Sequence, residues 1–204
     1  WSNVHNPRWC NICNFIMSKL ETNTIDTVSG TSNLTIGSTN SSTVTFENGA
    51  VTGQNYPAFE AYLTSETTVS SNNTYTKIQF DTEVVDTDNA FDNSTNYRFT
   101  VPSGKAGKYF IQVSARCISS SNSTLEKAYV SIYKNGTQYR ENQENYQDNE
   151  IRSSTVNVNA ILDLSVNDYI EGYVAIKNSS GTRQVGDSNS QYKSTYLLGY
   201  RLGA

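Results

Sequence analysis

The feature that most limits what this chain can become is a strict two-residue alternation. From Lys108 to Cys117 every second side chain, Tyr109, Ile111, Val113, Ala115 and Cys117, falls on one face of an extended segment. A second run follows, with Ala128, Val130 and Ile132 on one side and Tyr129, Ser131 and Tyr133 on the other. Asn135-Gly136 then supplies the two positive-φ residues of a tight hairpin, so the chain reverses and pairs back over Thr137 to Arg140. One apolar and one polar face per strand means a half-buried antiparallel sheet.

The same grammar continues downstream. Thr155 to Leu164 alternates Val156, Val158, Ala160, Leu162 and Leu164 against Asn157, Asn159 and Asp163, and Asn167-Asp168 turns it into a strand over Tyr169 to Lys177. Further strands are expected at Ala58 to Leu63, Thr76 to Phe80, Glu83 to Val85, Tyr97 to Val101 and Tyr192 to Leu202. Many short strands with turn signals between them indicate a sandwich or jelly roll. Composition agrees: Asn, Ser and Thr supply 73 of the 204 residues, and charged residues only 17%. Hydroxyl and amide polarity suits exposed sheet faces and turns, and not helical surfaces.

The formal net charge of −4, without long runs of either sign, gives no electrostatic footprint for nucleic acid. No apolar stretch is long enough to be a membrane helix, and the first residues lack the basic start and apolar middle of a signal peptide. Residues 1–16, with both Trp, Cys10, Cys13 and the lone His5, differ from the rest. They read as an anchoring arm or as a remnant of a longer precursor or of fused upstream sequence; the expectation is an anchor on a neighbouring subunit or partner through Trp1, Trp9, Phe15 and Ile16. Residues 17–56 hold short apolar pairs, Leu34 with Ile36 and Val44 with Phe46, among Gly, Asn and Ser. One copy buries too little to offset its ordering entropy, so the segment is either a disordered linker or, as expected here, an extended neck or fibre shaft wound with other copies. The head domain spans 57–204.

Chemistry finds little footing. A triad would have to recruit His5 across the molecule, and the paired acids Asp86 with Asp88 and Glu144 with Asp148 read as solvated loop residues, so no catalytic residue is assigned and no enzyme is expected. Cys10-x-x-Cys13 lacks both a thioredoxin-like context and a full zinc set, and Cys117 reads as a buried small hydrophobe. Asp86, Asp88, Asn89 and Asp92 offer oxygens of the kind calcium takes but without a twelve-residue calcium loop; turn formation explains them equally well. No metal or other cofactor is assigned. The segment Tyr139 to Arg152, read as a hairpin loop, is rich in planar amides and acids. Tyr139, Arg140, Tyr146, Asp148 and Arg152 are candidate ligand contacts there, against the plainer reading of an ordinary polar loop.

In order along the chain, Pro57-Ala58-Phe59 with Ala61, Ile78 to Asp81, Asn89 with Phe91-Asp92, Phe99 with Pro102, Gly107 with Tyr109-Phe110, Lys134-Asn135-Gly136, Leu162 and Leu164 with Asp168, and Tyr196 to Tyr200 around Gly199 resemble the globular head of the complement C1q and tumour necrosis factor superfamily. The resemblance implies a ten-stranded jelly roll that assembles as a homotrimer and works by binding. It also implies aromatic side chains of one sheet meeting around a threefold axis, for which Tyr109, Tyr196 and Tyr200 are the candidates. The Gly-X-Y stalk usual in animal members does not occur here. The segment from Met17 to Tyr56 instead resembles the leaders of phage fibre and structural proteins, especially marine ones, in its Thr-Asn-Thr-Ile and Asn-Leu-Thr-Ile-Gly phrases. The expected function is therefore a virion structural or attachment protein at the virion surface (a phage fibre, capsid fibre or decoration protein), partnered by a capsid or tail protein and by a cell-surface glycan. The alternative is a secreted or cell-surface C1q-like module of a cell that binds glycans or protein.

Overall fold

The computed structural model describes residues 57–189 and 191–203. The anchor Trp1, Trp9, Phe15 and Ile16, the neck over 17–56 and the Cys10-x-x-Cys13 pair lie outside the described residues. The described part is all β. Its strands in chain order are β1 Ala58–Tyr62, β2 Thr67–Thr68, β3 Thr76–Lys77, β4 Thr82–Asp86, β5 Phe91–Asp92, β6 Arg98–Thr100, β7 Gly107–Ser119, β8 Leu125–Lys134, β9 Thr137–Asn145, β10 Ser153–Leu164, β11 Tyr169–Asn178, β12 Arg183–Val185 and β13 Tyr196–Gly203.

They form two facing antiparallel sheets, a jelly roll. In the first, β7 pairs along its length with β10 on one side; on the other it meets β12 at its C-terminal end and β13 below that, followed by β1 and β4. The second runs β5, β6, β11, β8, β9, with β3 added to β11. Between them lies the core that the alternation predicts: Tyr109, Ile111, Val113, Ala115 and Cys117 of β7 face Ala128, Val130 and Ile132 of β8 and Ile170, Val174 and Ile176 of β11, all essentially without solvent contact. Val156, Val158, Ala160, Leu162 and Leu164 of β10 are buried as expected. Phe59 and Phe99 stack at 4.2 Å between ring centroids and close one end. Gly199 on β13 makes room for this, because a Cβ there would sit 2.6 Å from Ile111 Cδ1 and 2.8 Å from the Phe59 ring.

Three local expectations are corrected. Extended pairing after Thr76 lasts only two residues; Ile78 and Phe80 then turn inward, Ile78 N–H donating to Gly172 O at 2.9 Å and Phe80 filling the space the missing Gly172 side chain leaves. The last strand starts at Tyr196 and not Tyr192, since buried Asp187 accepts from Ser194 N–H at 2.8 Å and from its hydroxyl at 2.7 Å and holds that stretch as a loop. The strand after the Asn135-Gly136 turn does not stop at Arg140. It runs to Asn145, because β8 offers a full-length partner with Lys127 opposite Asn145. The turn itself is as read, with φ of 52° at Asn135 and 75° at Gly136.

Candidate functional site

On the outer face of the first sheet, side chains that the alternation turns away from the core line up across strands. Ile161 of β10 is opposite Phe110 of β7, Phe110 opposite Tyr200 of β13, and Tyr200 opposite Ala58 of β1, giving one apolar row over four strands. The next row carries Leu198 and Val85 on either side of Glu60. Ile161 keeps 59% of its surface exposed, Tyr200 45% and Val85 43%, which is unusual for large apolar groups gathered on one face of a sandwich. Phe110 and Tyr200 contact ring to ring at 5.4 Å. Beside them a shallow depression of about 300 Å³ is lined by Ala58, Glu60, Val85, Leu198 and Tyr200. Such a face gains most by being covered by another protein surface.

Of the three tyrosines expected at a threefold axis, Tyr200 lies in this row and Tyr196 is half-buried four residues earlier on the same strand, its hydroxyl accepting from Gln112 Nε2 at 3.1 Å. Tyr109 is the correction. It points into the core, fully buried against Phe99, its hydroxyl donating to Lys105 O at 2.6 Å, and burial pushes the phenol up to about 12. Its outward neighbour Phe110 takes the surface place. Phe110, Ile161, Leu198 and Val85 were missed although a signal was there for two of them: Phe110 and Ile161 are apolar residues at off-phase positions of strands otherwise mostly polar on that side.

The ligand candidates of the Tyr139 to Arg152 segment are divided by the structure. Tyr139 and Arg140 belong to the edge strand β9, where Arg140 Nη1 donates to Asn159 O at 3.2 Å and helps tie β9 to the rim of β10. Tyr146 folds back onto the core with its hydroxyl donating to Ser154 Oγ at 2.7 Å, and only Asp148 and Arg152 remain as exposed turn residues. Tyr139 and Tyr146, separated by seven residues of mostly extended chain, are about 20 Å apart, so the five side chains do not converge. Asp86, Asn89 and Asp92 build turns: Asp86 accepts from Phe91 N–H at 2.8 Å, Asn89 takes a φ of 51°, and Asp92 accepts from the backbone N–H groups of Thr95, Ser94 and Asn96, which hold its carboxyl far below the usual range. Among the described residues no group of three or more His, Cys, Asp or Glu side chains is placed to hold a metal ion.

The outer face of the second sheet differs in kind. Tyr129 and Tyr133 of β8, Tyr173 of β11 and Tyr75 ahead of β3 stand together there, with Tyr133 and Tyr173 stacked at 3.9 Å and Tyr75 at 6.2 Å from Tyr133 and 6.3 Å from Tyr129.

Several solved structures match the chain. The globular domain of zebrafish complement 1qA matches with 12% identity and a TM-score of 0.48, covering 72% of this chain and 98% of that one. The Eiger TNF of S. frugiperda matches with 10% identity and a TM-score of 0.50, covering 72% of this chain and 92% of that one. Murine APRIL matches with 11% identity and a TM-score of 0.48, covering 72% of this chain and 100% of that one. At 10% identity the likeness to the Eiger TNF is one of fold alone. No curated protein matches the chain by sequence. The model of the C1q domain does match, over residues 58–198, from the start of β1 into β13. The chain belongs to the C1q domain family.

Proposed function

We propose that this chain is a virion structural and attachment protein, a phage fibre, capsid-fibre or decoration protein whose head binds as a trimer while its N-terminal part holds it to the particle. Domains of the C1q and TNF type form homotrimers and serve as binding modules. The observation that carries the trimer here is the apolar row Ile161, Phe110, Tyr200 and Ala58, which a threefold assembly would cover with its own copies. Three heads on one stalk turn weak surface contacts into firm attachment, because the second and third contacts form at high local concentration. The virion reading is supported by the leader-like segment from Met17 to Tyr56.

The test is co-purification with virus particles through a density gradient, in fixed stoichiometry. A chain that bands with particles, and stops doing so when residues 1–56 are removed while the head stays trimeric, bears the proposal out. A chain that remains soluble or follows cells favours the second reading, a secreted or cell-surface C1q-like binding module, for which the domain match at 58–198 speaks.

A further inference from the structure

The tyrosine cluster on the outer face of the second sheet serves neither the core nor the apolar row on the opposite sheet. Its four rings are half-buried, three of them on strands and Tyr75 just ahead of β3, held edge to edge and face to face, so each keeps part of its surface exposed. Tyrosines that support the fold have their hydroxyls engaged, as Tyr109 and Tyr146 do. Among the described residues, the hydroxyls of Tyr75, Tyr129, Tyr133 and Tyr173 have no protein partner. Burial raises the phenols of Tyr133 and Tyr173, which keeps them protonated donors at any ordinary pH. On the next strand Gln143 lies opposite Tyr129 and Glu141 opposite Ser131, adding a planar amide and a carboxylate beside the rings.

Part of the charge on this face is already engaged, while Lys127 and Glu141 stay outside any ion pair among the described residues. Lys77 Nζ lies 2.6 Å from Glu171 Oε1, Lys177 Nζ 2.6 Å from Glu126 Oε2, and the Arg98 guanidinium caps the Tyr169 ring at 4.0 Å. A charged ligand would have to displace these pairs, whereas an uncharged one would not. The face also lacks the exposed aliphatic side chains a protein partner would dehydrate, which gather on the other sheet. Aromatic surface beside unpartnered hydroxyls, the Gln143 amide and the Glu141 carboxylate, one oxygen of which accepts from Gln138 Nε2 at 2.8 Å, fits a ligand with C–H faces and a rim of hydroxyls.

From this we infer that the Tyr75–Tyr129–Tyr133–Tyr173 face is a binding site for uncharged, hexopyranose-containing glycans. If the first sheet is covered in the trimer, this face looks outward on every subunit. The inference rests on the reading of the head as a binding module, and not on its place in a virion.

The test uses the full chain against an immobilised panel of neutral oligosaccharides of glucose, galactose, mannose and N-acetylglucosamine, with sialylated counterparts beside them. At least one neutral oligosaccharide binds, and Tyr75→Ala and Tyr129→Ala each weaken it roughly tenfold or more, while Tyr75→Phe, which keeps the ring, weakens it less. If the alanine variants do not fold, NMR of the wild type with the bound oligosaccharide decides, through saturation transfer from the tyrosine ring protons. No binding to the neutral panel, binding to sialylated members alone, binding indifferent to the tyrosine variants, or transfer only from outside the four rings overturns the inference. Failure to co-purify with particles while sugar binding persists would remove the virion reading and leave this one standing.

Discussion

The side-chain amide of Asn135 donates to Asp168 Oδ1 at 2.7 Å, joining the tip of the β8–β9 hairpin to the turn between β10 and β11. Asn135 Oδ1 accepts from Tyr169 N–H at 2.9 Å, Asp168 Oδ2 accepts from Ser165 N–H at 2.8 Å, and Lys134 Nζ stands 2.9 Å from the same oxygen. One carboxylate thus organises two turns 33 residues apart in sequence. Burial by itself pushes the Asp168 carboxyl up, but the donors from Asn135, Lys134 and Ser165 outweigh it and hold the group at about 2, below its ordinary 3.8. A folded value below the unfolded one gives stability that is complete above the unfolded value and is lost as pH falls through the folded value. The expected result is a melting temperature that drops between about pH 4 and pH 2 and drops less in Asp168→Asn. That variant is about 1–3 kcal/mol less stable at neutral pH. Parallel pH profiles for the two proteins would contradict the assignment.

Gly199 predicts a different kind of loss. Its strand neighbours are ordinary, and it sits where Ile111 and Phe59 approach the backbone too closely for a Cβ. Gly199→Ala forces the Phe59–Phe99 stack apart and costs about 1–3 kcal/mol by overpacking, read as a lower denaturation midpoint. Phe59→Leu in the same chain should recover part of that loss by freeing space. A Gly199→Ala protein as stable as the parent would mean that the ring pair yields more easily than its 4.2 Å separation implies.

The apolar row makes the oligomer breakable at one residue. Ile161→Glu places a carboxylate directly across from Phe110 on a face argued to be covered. Light scattering should then report a monomer with the β-sheet circular dichroism of the parent, since Ile161 contributes nothing to the core. Gln143→Glu on the other sheet should leave the trimer intact. A trimer in the Ile161→Glu protein would move the interface elsewhere.

How much of this was legible in the sequence depends on whether a strand advertises itself by alternation. β7, β8 and β10 each bury one complete phase of their pattern and were placed to within a few residues, as was the Asn135-Gly136 turn between β8 and β9. β9 was cut short because it is an edge strand with every residue exposed, so its Gln, Glu and Asn run has no apolar phase and reads as loop. The two-residue strands β2 and β5 are pairings imposed by neighbours, below anything a local pattern can carry. Site residues divide the same way. Tyr200 lies on the outer face that the threefold reading needs, whereas Tyr109 was given to the axis by the family resemblance although the alternation had already set it on the core face of β7, where the Lys105 carbonyl satisfies its hydroxyl. The grouping of Tyr75 with Tyr129, Tyr133 and Tyr173 needs the β3–β11–β8 pairing, which brings together residues far apart in sequence.

Cys117 tests the closure of the core. It is fully buried among apolar neighbours on the inner face of β7, and burial pushes its thiol up to about 12. The reactive species is the thiolate, so two obstacles act together, since the group is both shielded and almost wholly protonated. In a chain carrying Cys10→Ser and Cys13→Ser, an aromatic disulfide reagent should leave Cys117 unmodified under native conditions and label it fully in denaturant. Any slow native labelling should accelerate in Gly199→Ala in step with its lost stability, because exposure then requires opening of the sandwich. Rapid labelling in the folded protein would mean that the space between the sheets beside β7 is open to solvent, and the packing of β7 against β8 and β11 would have to be redrawn.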